Sequence, residues 1–182
     1  MNHQKLKFLI VDALFAGIIA ALAQVAIPIG PIPFTAQTFA VGLAATILGA
    51  KHSTIAVSVY ITLGAIGMPV FQGMAAGMGI LLGITGGFIV GFIFNAWITG
   101  YYLDKLGYTQ INAIIANLIG ALVTLLFGVL WLKISAGMTF SKAFHAGMIP
   151  FLIPGILKAI LAGWIGLLIR ERLIAGKLLP KS

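Results

Sequence analysis

Long apolar runs alternate with short polar breaks along this chain, and the runs have the length of membrane-crossing helices. Taking about 20 apolar residues as one bilayer span, the pattern predicts helices near residues 8–28, 38–50, 53–67, 80–102, 109–132 and 150–171. The second is short for a full crossing. It follows Pro28, Pro31 and Pro33, whose rings cannot continue a helix and favour extended backbone, so this stretch is expected to enter or cap a bundle. Only Lys51, His52 and Ser53 separate the second helix from the third, which makes that boundary the least defined.

Composition then fixes the class. Mean hydropathy is +1.15, 61% of residues are hydrophobic, and only three acidic residues occur in 182, which describes an integral membrane protein. The roughly ten-residue alternation of an outer-membrane barrel is absent, which leaves an all-α bundle of six transmembrane helices, one polytopic domain over residues 1–182. The apolar run from Phe8 is long enough to span and lacks a convincing cleavage site, so it reads as a retained helix. With no cysteine and three scattered histidines, neither a disulfide nor a metal site is expected.

The formal charge of +8 would suggest nucleic acid in a soluble protein, but here the basic residues flank the apolar runs and act as topology signals. Lys5, Lys7, Lys51, Lys105, Arg170, Arg172, Lys177 and Lys181 fall on one side of the six spans, against Lys133 and Lys142 on the other. The excess of positive charge places both termini in the cytoplasm. On the outer side, residues 29–37 and 68–79 carry no charge. Together with Gly67, the second of these stretches has four glycines and three methionines with Phe71, a composition suited to flexible backbone folded onto an apolar object. Both are read as lids, with stabilising caps over the helix ends as the alternative.

Lys158 lies inside the last apolar run with no carboxylate nearby in sequence. Twelve residues separate it from Arg170, about 18 Å of helix, which places the ammonium slightly outward of the midplane. A charge at that depth costs at least about 2.5–3.5 kcal/mol on insertion scales. A bound anion would offset this, most simply a ligand carboxylate; the alternative is a lysine bonded to helix carbonyls or neutralised by desolvation. Thr35, Gln37, Thr38, Gln72, Thr85, Asn95, Asn117 and Thr124 could surround a compact polar head group. Asn95 and Asn117 serve equally well as bonds between helices. Asp12 is expected to pair with a nearby lysine or stay solvated. Ala13, Ala16, Ala20 and Ala23 line one face of the first helix, for internal packing or for another membrane subunit. No paired carboxylates, histidine–acid pair or phosphate loop is present, which argues against an enzyme, and neither an internal repeat nor an intramembrane acid suggests self-sufficient active transport.

Several stretches, taken together over nearly the whole chain, resemble the BioY family, the biotin-specific substrate-binding (S) components of energy-coupling factor (ECF) transporters. They are Ala13–Ala16 with Ala20, the run from Ile29 through Pro33, Phe34 and Thr35 to Gln37, Leu63–Phe71, Leu82–Phe88 with Gly91 and Phe92, Gly128–Trp131, and Pro150–Phe151 followed by Lys158 and Ala159. The resemblance implies a six-helix subunit in a prokaryotic cell membrane that takes up biotin from outside as transported ligand, with no cofactor. Its partners would be a transmembrane coupling protein and two cytoplasmic ATPases. The family's docking motif falls on Ala16 and Ala20, and Lys158 matches the family's basic residue on the last helix. Gly155 stands where family members commonly carry Asp, and Ile89 and Ala121 where some carry Arg and Asn. The ligand ring is then left to neutral groups such as Gln37, Thr85 or Asn95, or the ligand is another carboxylate-bearing, mostly apolar vitamin; a structural subunit that binds no small molecule is the reading from another class.

Overall fold

The computed structural model describes residues 3–28 and 32–179; Ile29, Gly30 and Pro31 of the proline run and Lys181 lie outside the described residues. The described chain is helical almost throughout: α1 (His3–Ala23), α2 (Gln37–Ala65), α3 (Met78–Leu82), α4 (Gly86–Leu106), α5 (Gln110–Ser135), α6 (Phe140–Gly147) and α7 (Ile149–Ala175). Five of these are long and apolar enough to cross a membrane. Two short strands, β1 (Ala26–Ile27) and β2 (Phe34–Thr35), pair antiparallel, Ala26 with Thr35 and Ile27 with Phe34.

The boundaries differ from the sequence pattern in four places, each for a local reason. α1 stops at Ala23 rather than near residue 28, because the chain ahead of Pro28 turns into β1 and its backbone groups pair with β2. The predicted helix at 80–102 starts as α3, breaks at Gly83, Ile84 and Thr85, and restarts as α4. α6 was not expected; Thr139 caps it by accepting from the Lys142 amide. The predicted helices 38–50 and 53–67 are the two arms of α2, broken at Gly49, whose φ of +74° is closed to most side chains.

That break is a reversal of direction. Gln37 Nε2 donates to the Tyr60 hydroxyl at 2.5 Å across 23 residues, which a straight helix would hold roughly 34 Å apart. The bend is held by polar bonds: Asp104 accepts from the Ala50 amide at 2.9 Å, Ser53 Oγ donates to Gly49 O at 2.6 Å, and the Arg170 guanidinium donates to Ile47 O. At the same end, Lys7 Nζ donates to Lys177 O at 2.8 Å, so the start of α1 and the end of α7 meet. Asp12 pairs there with His52 at 3.0 Å, not with a lysine.

α2 packs on α1, α4 and α7, and α5 on α4 and α7. Close approach depends on missing side chains: a Cβ on Gly87 would strike Trp131, and one on Gly128 would strike Phe88. Leu126, Leu130, Trp164 and Leu168 face outward at about half their full exposure, apolar surface that a bilayer would cover.

Candidate functional site

At the end away from the termini, the helices enclose a cavity of about 870 Å³, mouth included. Five parts of the chain build it. The first outer segment and the start of α2 supply Ile32, Pro33, Thr35, Gln37 and Thr38; the second outer segment supplies Phe71, Gln72, Ala75 and Ile80. Thr85, Phe88, Ile89 and Phe92 come from the entry and first turns of α4, Ala121, Thr124 and Leu125 from α5, and Phe151, Gly155 and Lys158 from α7. Among the described lining residues Lys158 is the only one with a formal charge.

The described parts of the two uncharged segments expected as lids line the cavity. Phe71 is the anchor of the second: it is 1% exposed, meets Tyr60 edge-on with centroids 5.6 Å apart, and occupies the space a Cβ on Gly64 would need. Gln24, just past the end of α1, ties this segment to that helix. Its Nε2 donates to Phe71 O at 2.9 Å and its Oε1 accepts from the Met74 amide at 3.0 Å. Sequence reading missed this glutamine because it sits beyond the useful part of α1, in a run whose polarity it barely changes.

Lys158 is half-buried. Its Nζ donates to Thr35 O at 2.9 Å and stands 3.9 Å from the Phe34 ring, which lies against Phe151 with centroids 6.2 Å apart. The ammonium therefore meets a carbonyl, but one of strand β2 in the cavity wall and not a helix carbonyl, and the lysine also lines the cavity. An ammonium has three donors.

Of the neutral residues, Thr35, Gln37, Gln72 and Thr85 all line the cavity as expected. Gln37 is largely committed: it donates to Tyr60 and its Oε1 accepts from Thr35 Oγ1 at 2.8 Å. Asn95 does not line it. It is 2% exposed, donates to Thr124 Oγ1 at 3.0 Å and accepts from Thr99 Oγ1 at 3.1 Å, so it bonds α4 to α5 and steadies Thr124 in the wall. Asn117 likewise bonds α5 to α2 through Thr46 at 2.8 Å. Gly155, Ile89 and Ala121 all line the cavity, so each departure from the family pattern removes polarity from this one surface.

The two alanines expected to dock a partner, Ala16 and Ala20, face the chain's own core. Ala16 is 2% exposed and belongs to the core with Ile19, Val41 and Phe92, and Ala20 packs against the same cluster. The outward small residues are instead Ala13, Gly17 and Ala21, with open space around Gly17.

A helical membrane bundle enclosing a largely apolar cavity, with Lys158 the one cation among its described lining residues, is built to hold a small molecule rather than to span passively. The chain belongs to the BioY family, whose profile matches residues 1–175. It is 43% identical to the biotin transporter BioY2 of Lactococcus lactis subsp. cremoris (strain MG1363), over 92% of each chain. With the probable biotin transporter BioY of Pyrococcus horikoshii the identity is 39%, over 93% of this chain and 97% of that one. The crystal structure of the S-component for biotin from an ECF-type ABC transporter superposes with a TM-score of 0.87 at 28% identity, covering 94% of both chains. It is a multi-pass membrane protein of this transporter family.

Proposed function

We propose that this chain is the substrate-binding subunit of a biotin uptake transporter, taking the vitamin from the outer side of the membrane. The observation that carries the reading is Lys158, a lone cation in the wall of an otherwise neutral cavity. Biotin presents one carboxylate and a compact, uncharged ring system, so the carboxylate meets the ammonium and the rings fill the space beneath Phe71, Phe88 and Phe92. Thr85 and Gln72 face the ring with neutral hydrogen-bonding groups.

Six crossings with both termini cytoplasmic belong to this proposal. The fold-back at Gly49 turns one long helix into two arms, which supports six crossings, and the Lys7–Lys177 contact supports a shared side for the termini. Partner docking, to a transmembrane coupling protein and through it to two ATPases, is assigned to the Ala13, Gly17 and Ala21 face of α1, because Ala16 and Ala20 are occupied by the chain's own core. The subunit binds and hands over its cargo; no catalytic residue is assigned.

A second reading is favoured by one observation: Gly155, Ile89 and Ala121 make the cavity less polar than the family pattern. It keeps the carboxylate on Lys158 and exchanges biotin for a ligand with a less polar head. Calorimetry of biotin with the purified, detergent-solubilised protein separates the two. Tight binding supports the biotin reading, and absence of binding overturns it.

A further inference from the structure

Thr38 lines the cavity, and its hydroxyl oxygen is closed off from solvent without a hydrogen-bond partner among the described residues. A hydroxyl left in that state is destabilising unless something enters to accept its proton, and the cavity is the side from which a partner can come. Its surroundings favour an anion. Thr38 sits in the first turn of α2, where Ala36 gives no side-chain cap and only the Gln37 amide meets a side-chain acceptor, Thr35 Oγ1 at 3.4 Å, so this turn keeps the positive end of the helix dipole.

The lysine is brought to the same place. Lys158 Nζ is bonded to Thr35 O, and Thr35 and Thr38 are three residues apart, at most roughly 10 Å even in extended chain. A carboxylate has two oxygens and about four lone-pair sites. One lysine that already gives a donor to Thr35 O leaves part of that capacity unmet, and Thr38 supplies what is missing.

We propose that the ligand carboxylate has a two-point seat, the Lys158 ammonium on one oxygen and the Thr38 hydroxyl on the other, above the first turn of α2. This rests on the reading of the ligand as biotin. It makes Thr38 a binding residue, and it explains why Lys158 is tied to Thr35: the tie holds the two donors of the seat at a fixed spacing.

The test uses Thr38→Val, which keeps the shape and removes the hydroxyl, with Thr38→Ser as the variant that keeps it. Both are titrated with biotin and with biotin carboxamide, which lacks the charge. The expected result is biotin affinity five- to tenfold weaker in Thr38→Val and near wild type in Thr38→Ser, with carboxamide affinity changed less than twofold in either. The melting temperature of ligand-free Thr38→Val should not fall, since no protein bond is lost. Equal weakening for both ligands would put the hydroxyl against the ring and overturn the two-point seat, as would unchanged biotin affinity or a loss that tracks a lower melting temperature. Failure of the wild type to bind biotin overturns the functional reading itself, an outcome distinct from a wild type that binds beside an unaffected Thr38→Val.

Discussion

Replacing Lys158 with Met retains most of the stem and removes the charge, so its effects on binding and on stability can be worked out separately. In the ligand-free protein the ammonium has one carbonyl at 2.9 Å and one aromatic face at 3.9 Å. A hydrogen bond involving a charged group contributes about 1.5–3 kcal/mol and a cation–π contact about 0.5–2 kcal/mol. Against this stands the insertion cost of a lysine at this depth, about 2.5–3.5 kcal/mol. The terms nearly cancel, so Lys158→Met should change ligand-free stability by no more than about 1 kcal/mol. Binding has no such cancellation: the lost charge-assisted bond to a carboxylate is again about 1.5–3 kcal/mol, a factor of roughly 10 to 150 in Kd. Calorimetry with biotin gives the second quantity, and equilibrium unfolding in mixed micelles gives the first. An affinity within twofold of wild type would show that no carboxylate meets Lys158. A stability loss as large as the binding loss would show a structural lysine whose cavity position is incidental.

Gly17→Leu, in open space on the outward face of α1, should leave biotin affinity within about twofold yet lower biotin uptake by cells with the ATPase partners at least fivefold, because a bulky side chain blocks close helix approach; unchanged uptake would move docking off this face. Asn95→Ala removes two bonds between side chains in the core, each worth about 0.6–1 kcal/mol in a membrane, so unfolding should become easier by about 1–2 kcal/mol while biotin affinity stays within threefold. A collapse of affinity at unchanged stability would return Asn95 to the binding site. Tyr108, in the turn between α4 and α5, has its pKa raised by burial and by its bond to Asp104 at 2.5 Å. Unfolded, it titrates near 10 while the fold keeps its proton, so its contribution is fully present below that pH and is lost as pH rises beyond it. Unfolding measured from pH 9 to 11 should therefore weaken more steeply for wild type than for Tyr108→Phe, and parallel curves would refute the assignment.

Much of this architecture is written in the chain because a bilayer imposes a simple rule. Backbone groups in hydrocarbon must be satisfied within the helix, so the apolar runs marked α1, α4, α5 and α7, and Lys158, the one cation deep within such a run, drew notice before its place in the cavity wall was seen. The two uncharged outer segments were also legible, since water-facing loops usually carry charge. What the sequence did not hold was anything that depends on which face of a helix meets which neighbour. Asn95 and Thr124 are both polar residues on apolar helices, and only the packing of α4 on α5 turns one into a bond and leaves the other in the wall. Ala16 and Gly17 are adjacent in the chain and both small; the rotation of α1 against α2 and α4 buries the first and exposes the second. Likewise Thr38 is one more threonine until the fold closes it off from solvent without a partner. Apolar run length is a property of neighbours along the chain, whereas the facing of a side chain is set by contacts between residues far apart in it.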